Sequence, residues 1–135
     1  MLQKMRVLLL VCITAVLAAC GGGGDETPNF AGTYLISTSN VTGNTCGGSV
    51  AALAGGKVGV TQNGRNVTWV EAGGSYAGTV DADNGGFTVI TTQVSNGTAI
   101  QIAVAVRSAG GNAYAVKFTA TGACSITWSG TATKS

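Results

Sequence analysis

Histidine is absent from this chain, proline occurs once, and charged residues make up only 9% of it. Each scarcity excludes something. Acid–base catalysis needs groups that titrate near neutrality or can be tuned there, and without His a serine nucleophile would have to recruit Lys57 or Lys117. A lysine on a β-hairpin is ordinarily a solvated charge, so no enzyme is expected. Zinc needs about four N or S ligands, and two cysteines of the main body without His fall short, so no metal or cofactor is expected. Long apolar runs are scarce as well. The one that stands out, Val7 to Val16 broken by Cys12 and Thr14, gives way after Ala19 to four glycines, Asp25 and Glu26. A membrane-crossing helix needs about 20 apolar residues, so this run is too short to span.

What is present at that end has the order of a secretory leader: Lys4 and Arg6, the apolar run, then small residues at Ala18 and Ala19. Leu17-Ala18-Ala19-Cys20 resembles the lipobox of bacterial lipoproteins, the type II signal peptides. The resemblance implies that residues 1–19 are removed, that Cys20 carries diacylglycerol on its thiol, and that its new amino group is acylated. It covers the leader alone. Each buried methylene contributes about 0.8 kcal/mol and stable anchoring takes more than one chain, so such a Cys20 would hold the protein on a membrane. Gly21 after Cys20, in place of Asp, implies export to the outer membrane, facing either the periplasm or the cell surface.

Without Lys4 and Arg6 the remainder has five cations (Lys57, Arg65, Arg107, Lys117, Lys134) against five anions (Asp25, Glu26, Glu71, Asp81, Asp83). A nucleic-acid partner calls for a clustered basic face; these charges are balanced and scattered, so none is expected. Residues 20–29, glycine-rich and then acidic with Pro28, read as a lipidated cysteine followed by a flexible tether. Nine residues beyond Cys20 reach at most ~30 Å.

Residues 30–135 form one expected domain of roughly a hundred residues, small for a self-sufficient core. A cross-link would help. Cys46 and Cys124 are the thiols left once Cys20 is lipidated, and an exported chain meets an oxidising compartment, so they are expected to pair. Closing a loop of nearly eighty residues contributes about 4 kcal/mol in the chain-entropy account.

From Phe30 onward, short β-branched and aromatic runs alternate with glycine or Asn-Gly punctuation. Candidate strands are 31–39, 57–62, 65–71, 75–81, 87–94, 98–108, 113–121 and 124–133, with 47–53 ambiguous. Asn63-Gly64 and Asn96-Gly97 predict two type I′ hairpins. The short links predict antiparallel neighbours, hence an all-β, up-and-down meander of about eight strands closing into a small barrel or folding as a sandwich. Ile100, Ile102, Val104 and Val106 share one side of their strand, and Tyr114, Val116 and Phe118 share one side of the next. Trp69 and Trp128 are expected to point inward in the same way. A membrane-spanning barrel fits less well, because its bulky face would have to meet lipid while small residues filled the lumen.

Two constellations remain. Asp81-Ala82-Asp83-Asn84-Gly85-Gly86 begins like a calcium loop but has Gly85 at the fifth position and Thr92 at the twelfth, too few oxygen ligands; the plainer reading is a solvated turn. Trp69, Tyr76, Tyr114, Phe118 and Trp128 either fill the interior or line space for one apolar ligand. Gly32-Thr33-Tyr34 in the first strand with Trp128-Ser129-Gly130 in the last is loosely similar to avidin- and lipocalin-type barrels, with no residue role carried over. Three functions are expected to compete: a non-enzymatic structural or interaction module of the envelope, a carrier of a small apolar ligand, and an inhibitor of an envelope-directed hydrolase that binds through loop residues between Asn40 and Gly48.

Overall fold

The computed structural model describes residues 26–135; the expected leader, residues 1–19, and Cys20 lie outside them. Nine strands follow in order: β1 Gly32–Ile36, β2 Asn40–Asn44, β3 Gly56–Asn63, β4 Asn66–Glu71, β5 Gly74–Val80, β6 Gly86–Ser95, β7 Thr98–Gly110, β8 Ala113–Thr121 and β9 Ser125–Lys134. Every neighbouring pair from β3 to β9 is antiparallel, and β1 bridges the ends by pairing with both β3 and β9. Eight strands therefore close into a barrel, and the sandwich alternative is excluded. Among the described residues no helix is long and apolar enough to cross a membrane.

The expected first strand, 31–39, is broken. Beyond Ile36 the chain bends at Ser37, whose Oγ accepts from the Thr131 amide at 3.0 Å, and resumes as β2 alongside β9 with a register shift between Val41 and Gly43. The ambiguous stretch 47–53 is loop, bridged to the strands where Leu53 exchanges two backbone hydrogen bonds with Ser39. Of the two expected type I′ turns, Asn96-Gly97 has both central residues at positive φ, 50° and 76°. The other is displaced by one residue: Asn63 pairs with Asn66, so Gly64-Arg65 are central, and only Gly64 has positive φ. Positive φ at the first central residue alone is the pattern of a type II′ turn, which favours glycine there.

Side-chain alternation sets the two faces. Val67 and Trp69 on β4, Val104 and Val106 on β7, and Tyr114 and Val116 on β8 all turn inward and are buried. Small or polar residues turn outward, apart from exposed Leu35, Val70, Ile90 and Val94. The interior is packed most densely at one end. There Phe30 stacks against Phe87 at a centroid distance of 5.5 Å, Tyr34 meets Tyr114 edge-on at 5.2 Å, and the Tyr34 hydroxyl donates to the Phe30 carbonyl at 2.6 Å. Burying a side chain such as Phe87 contributes about 1.5–3 kcal/mol, and edge-on aromatic pairs add about 0.5–1.5 kcal/mol. Burial and the neighbouring Tyr114 push the Tyr34 phenol well above its ordinary range.

The last residues of the expected tether are docked, not free. Gln62 Nε2 donates to the Pro28 carbonyl at 2.7 Å, Lys134 Nζ to the Asn29 carbonyl at 3.0 Å, and the Phe30 amide to Gln62 Oε1 at 2.7 Å. The chain thus enters the barrel at its plugged end. The Asn96-Gly97 turn, the β4–β5 and β8–β9 turns, and the loop from β2 to β3 lie at the opposite end, because strands of an antiparallel meander alternate in direction.

Candidate functional site

That opposite end is open. Its cavity, about 440 Å³, is walled by Ile36, Val58, Ile102, Phe118 and Trp128 from five strands and by Leu53 from the β2–β3 loop. Trp69 lies beneath Phe118, ring centroids 6.1 Å apart, and is fully buried. The cavity results from side-chain length. Small residues at Ala120, Gly56 and Gly73 leave the mouth unfilled, whereas Phe30 fills the other end.

The β2–β3 loop is tied over one side of the mouth at several points, beginning where Thr45 exchanges hydrogen bonds with Ser125. Cys46 is disulfide-bonded to Cys124 in the β8–β9 turn, with Cα atoms 5.0 Å apart. Trp128 Nε1 donates to the Ala51 carbonyl at 3.0 Å, and Leu53 is held by Ser39. Without these ties the loop would carry little local structure, since glycines and alanines supply few packing atoms.

Two charged residues line the cavity, the exposed Lys57 at its rim and Glu71, which turns inward. Glu71 follows Val67 and Trp69 at period two and faces inward at the mouth. Its Oε1 accepts from the Tyr76 hydroxyl at 2.7 Å and its Oε2 from Trp69 Nε1 at 3.1 Å. Trp69 and Tyr76 are cross-strand partners, so the carboxylate caps both polar atoms of an otherwise apolar pair. Tyr76 is buried, and that burial first, with its hydrogen bond to the Glu71 carboxylate second, pushes the phenol up to about 12. Among the described residues the ion pairs are those of Arg107, and Glu71 has no cationic partner.

The five aromatics anticipated as a lining set divide along the barrel axis. Tyr76, Phe118 and Trp128 line the cavity. Trp69 does not line it but is fully buried behind Phe118. Tyr114 packs with Phe30 and Tyr34 at the plugged end and belongs to the core. Trp128 turns inward as expected but is only half-buried, because the mouth is open. Glu71 was not anticipated as a site residue, although its phase with Trp69 carries the signal.

Asp81 and Asp83 are at the plugged end and are taken up by Arg107, at 3.1 and 2.6 Å. Asp83 Oδ1 also accepts from the Gly85 amide at 3.0 Å, and Asp81 Oδ1 from Thr88 Oγ1 at 3.0 Å. The segment is a hydrogen-bonded turn; among the described residues no group of three metal-ligating side chains forms. The Arg107 guanidinium, followed by the Gly85 amide, lowers Asp83 to about 2.

The arrangement offers a concave, mostly apolar surface with one fixed hydrogen-bond acceptor, the composition of small-molecule sites generally. No family model, no curated protein and no solved structure matches this chain.

Proposed function

We propose that this chain is a lipid-anchored lipoprotein of the bacterial envelope whose barrel binds a small, largely apolar molecule at its open mouth, without catalysis. The lipobox-like Leu17-Ala18-Ala19-Cys20 supports the anchor, and the cavity of about 440 Å³ supports the binding role. The cavity is the observation that carries the reading: apolar side chains lining a concave, open mouth stay in contact with water, and a ligand that covers them gains roughly 25 cal/mol per Å² of apolar surface buried. In this reading the tether leaves from the plugged end, opposite the mouth.

Native mass spectrometry of the full chain released from bacterial membranes tests this. A copurifying small molecule bound to the wild type, and lost when Ile102→Trp fills the cavity, is the expected result. A bare lipoprotein mass that no added amphiphile changes would overturn it.

A second reading, a protein-binding module, draws on the β6–β7 hairpin. Its pairing with β5 stops at Ile90 and with β8 at Gln101, so the tip around Asn96 stands clear with unpaired backbone edges. Val94 there is 73% exposed. Such edges accept an added strand. Loss of a captured envelope protein on Val94→Lys, with the cavity intact, would favour that reading.

A further inference from the structure

Glu71 is the one carboxylate in the cavity wall, and its surroundings restrict what can sit there. The Trp69 indole and the Tyr76 hydroxyl hold its two oxygens from the barrel side. An ionised carboxylate accepts about four hydrogen bonds and donates none, so each oxygen retains accepting capacity toward the cavity. No cation approaches within ion-pair distance among the described residues. Glu71 is only partly exposed, and a cation entering the cavity would meet a fixed acceptor with no competing counter-charge. Apart from Lys57 and the Tyr76 hydroxyl, the side chains lining the cavity are apolar, among them Leu53, Ile102, Phe118 and Trp128.

We propose that the mouth of the barrel recognises a cationic amphiphile, a molecule with an apolar body packed between Leu53, Phe118 and Trp128 and a protonated amine donating to the Glu71 carboxylate. The inference rests on the cavity being a binding site and specifies the ligand class it takes. Trp69 and Tyr76 are positioning residues: they fix the carboxylate so that little side-chain entropy is lost when the amine arrives. Charge-assisted hydrogen bonds of this kind are about twice as strong as neutral ones. Lys57 also reaches the rim, but it sits at an outward position, paired with Leu35, and its ammonium is solvated on a flexible stem. It would repel an amine weakly and attract a carboxylate, which gives the alternative a distinct signature.

The test uses the full lipidated chain in phosphatidylcholine nanodiscs, with empty nanodiscs subtracted. The probes are octylamine, 1-octanol and octanoate, three molecules with one tail and different head groups. The chain has two tryptophans, so ¹⁵N-indole resonances report the site directly: the Trp69 N–H is bonded to Glu71 and the Trp128 ring lines the wall. The expected result is saturable binding of octylamine, at least about tenfold tighter than octanol, with the Trp69 indole shifting on binding. Glu71→Gln should erase the preference for octylamine over octanol. Equal binding of octylamine and octanol to the wild type, or tighter binding of octanoate, would overturn the amine assignment and leave the cavity reading standing. If none of the three probes shifts either indole, the binding-site reading itself fails. The comparison of head groups on the wild type does not depend on the variant folding.

Discussion

Trp69 and Glu71, two residues apart on β4, turn to the same side of the strand and meet there: the indole Nε1 donates to the carboxylate Oε2 at 3.1 Å. Tyr76, opposite Trp69 on β5, completes the group through its 2.7 Å bond to Oε1. Three side chains with polar atoms are thereby accommodated in a wall that is otherwise hydrocarbon, and the one with spare acceptor capacity faces the cavity.

The Tyr76 phenol should titrate at about 12, above the ordinary 10.0, because burial and the Glu71 carboxylate both disfavour the phenolate. A raised value in the folded state means that its contribution to stability is complete below pH 10 and is lost as pH rises toward 12. Ultraviolet difference titration of wild type against Tyr76→Phe checks this; a Tyr76 component ionising near 10 in the folded protein would contradict it. Loss of a hydrogen bond to a charged acceptor in Tyr76→Phe should cost about 1.5–3 kcal/mol.

Reducing the Cys46–Cys124 bond, which spans 78 residues, should lower unfolding stability by about 4 kcal/mol in the chain-entropy account. Urea unfolding with and without dithiothreitol measures it. Hydrogen exchange should rise first in 45–55, the loop that the bond ties across the mouth, and the plugged end should keep its protection. Uniform loss of protection would show that the loop is not a separate unit.

Asp83 should have a carboxyl midpoint of about 2, held down by Arg107 and the Gly85 amide. Its folded-state value lies below the ordinary 3.8, so its contribution is present above that pH and is lost as the solution is acidified through 2. Carboxyl ¹³C titration by NMR gives the midpoint, and Arg107→Ala should return it toward the ordinary range. The pair is exposed, and its effect on stability should be small and weaken with salt.

Ser39→Ala should stabilise the barrel. Ser39 is 1% exposed, and its hydroxyl has no hydrogen-bond partner; it occupies the space that a Cβ on Gly130 would take. Removing an unsatisfied buried hydroxyl relieves a penalty of about 1 kcal/mol or more. The urea midpoint should rise without a change in slope, and a fall would reveal a partner for the hydroxyl, such as a buried water.

The strands that were legible from residue patterns are those with strict alternation, such as Thr98–Gly110 and Ala113–Thr121. β2 was not, because Asn40-Val41-Thr42-Gly43-Asn44 has a glycine, two asparagines and no apolar period; its pairing comes from β9, across a register shift. The lining set was legible in part. Period two reports which side of a strand a residue faces, so Trp69, Tyr76, Tyr114, Phe118 and Trp128 were all correctly turned inward. It does not report height along the barrel axis, so Tyr114 could not be separated from Phe118.

The sequence by itself determined the all-β class, the antiparallel order, the buried face of most strands and the pairing of Cys46 with Cys124. Those follow from local alternation, turn chemistry and the count of available thiols, which act over a few residues or need no geometry. Closure of β1 onto both β3 and β9, the plug of Phe30 at one end, the empty mouth at the other, and the meeting of Glu71 with Trp69 and Tyr76 were decided only in the tertiary structure. Each depends on the stagger between strands, which places residues far apart in the chain at one height, and on whether long or short side chains happen to arrive there together.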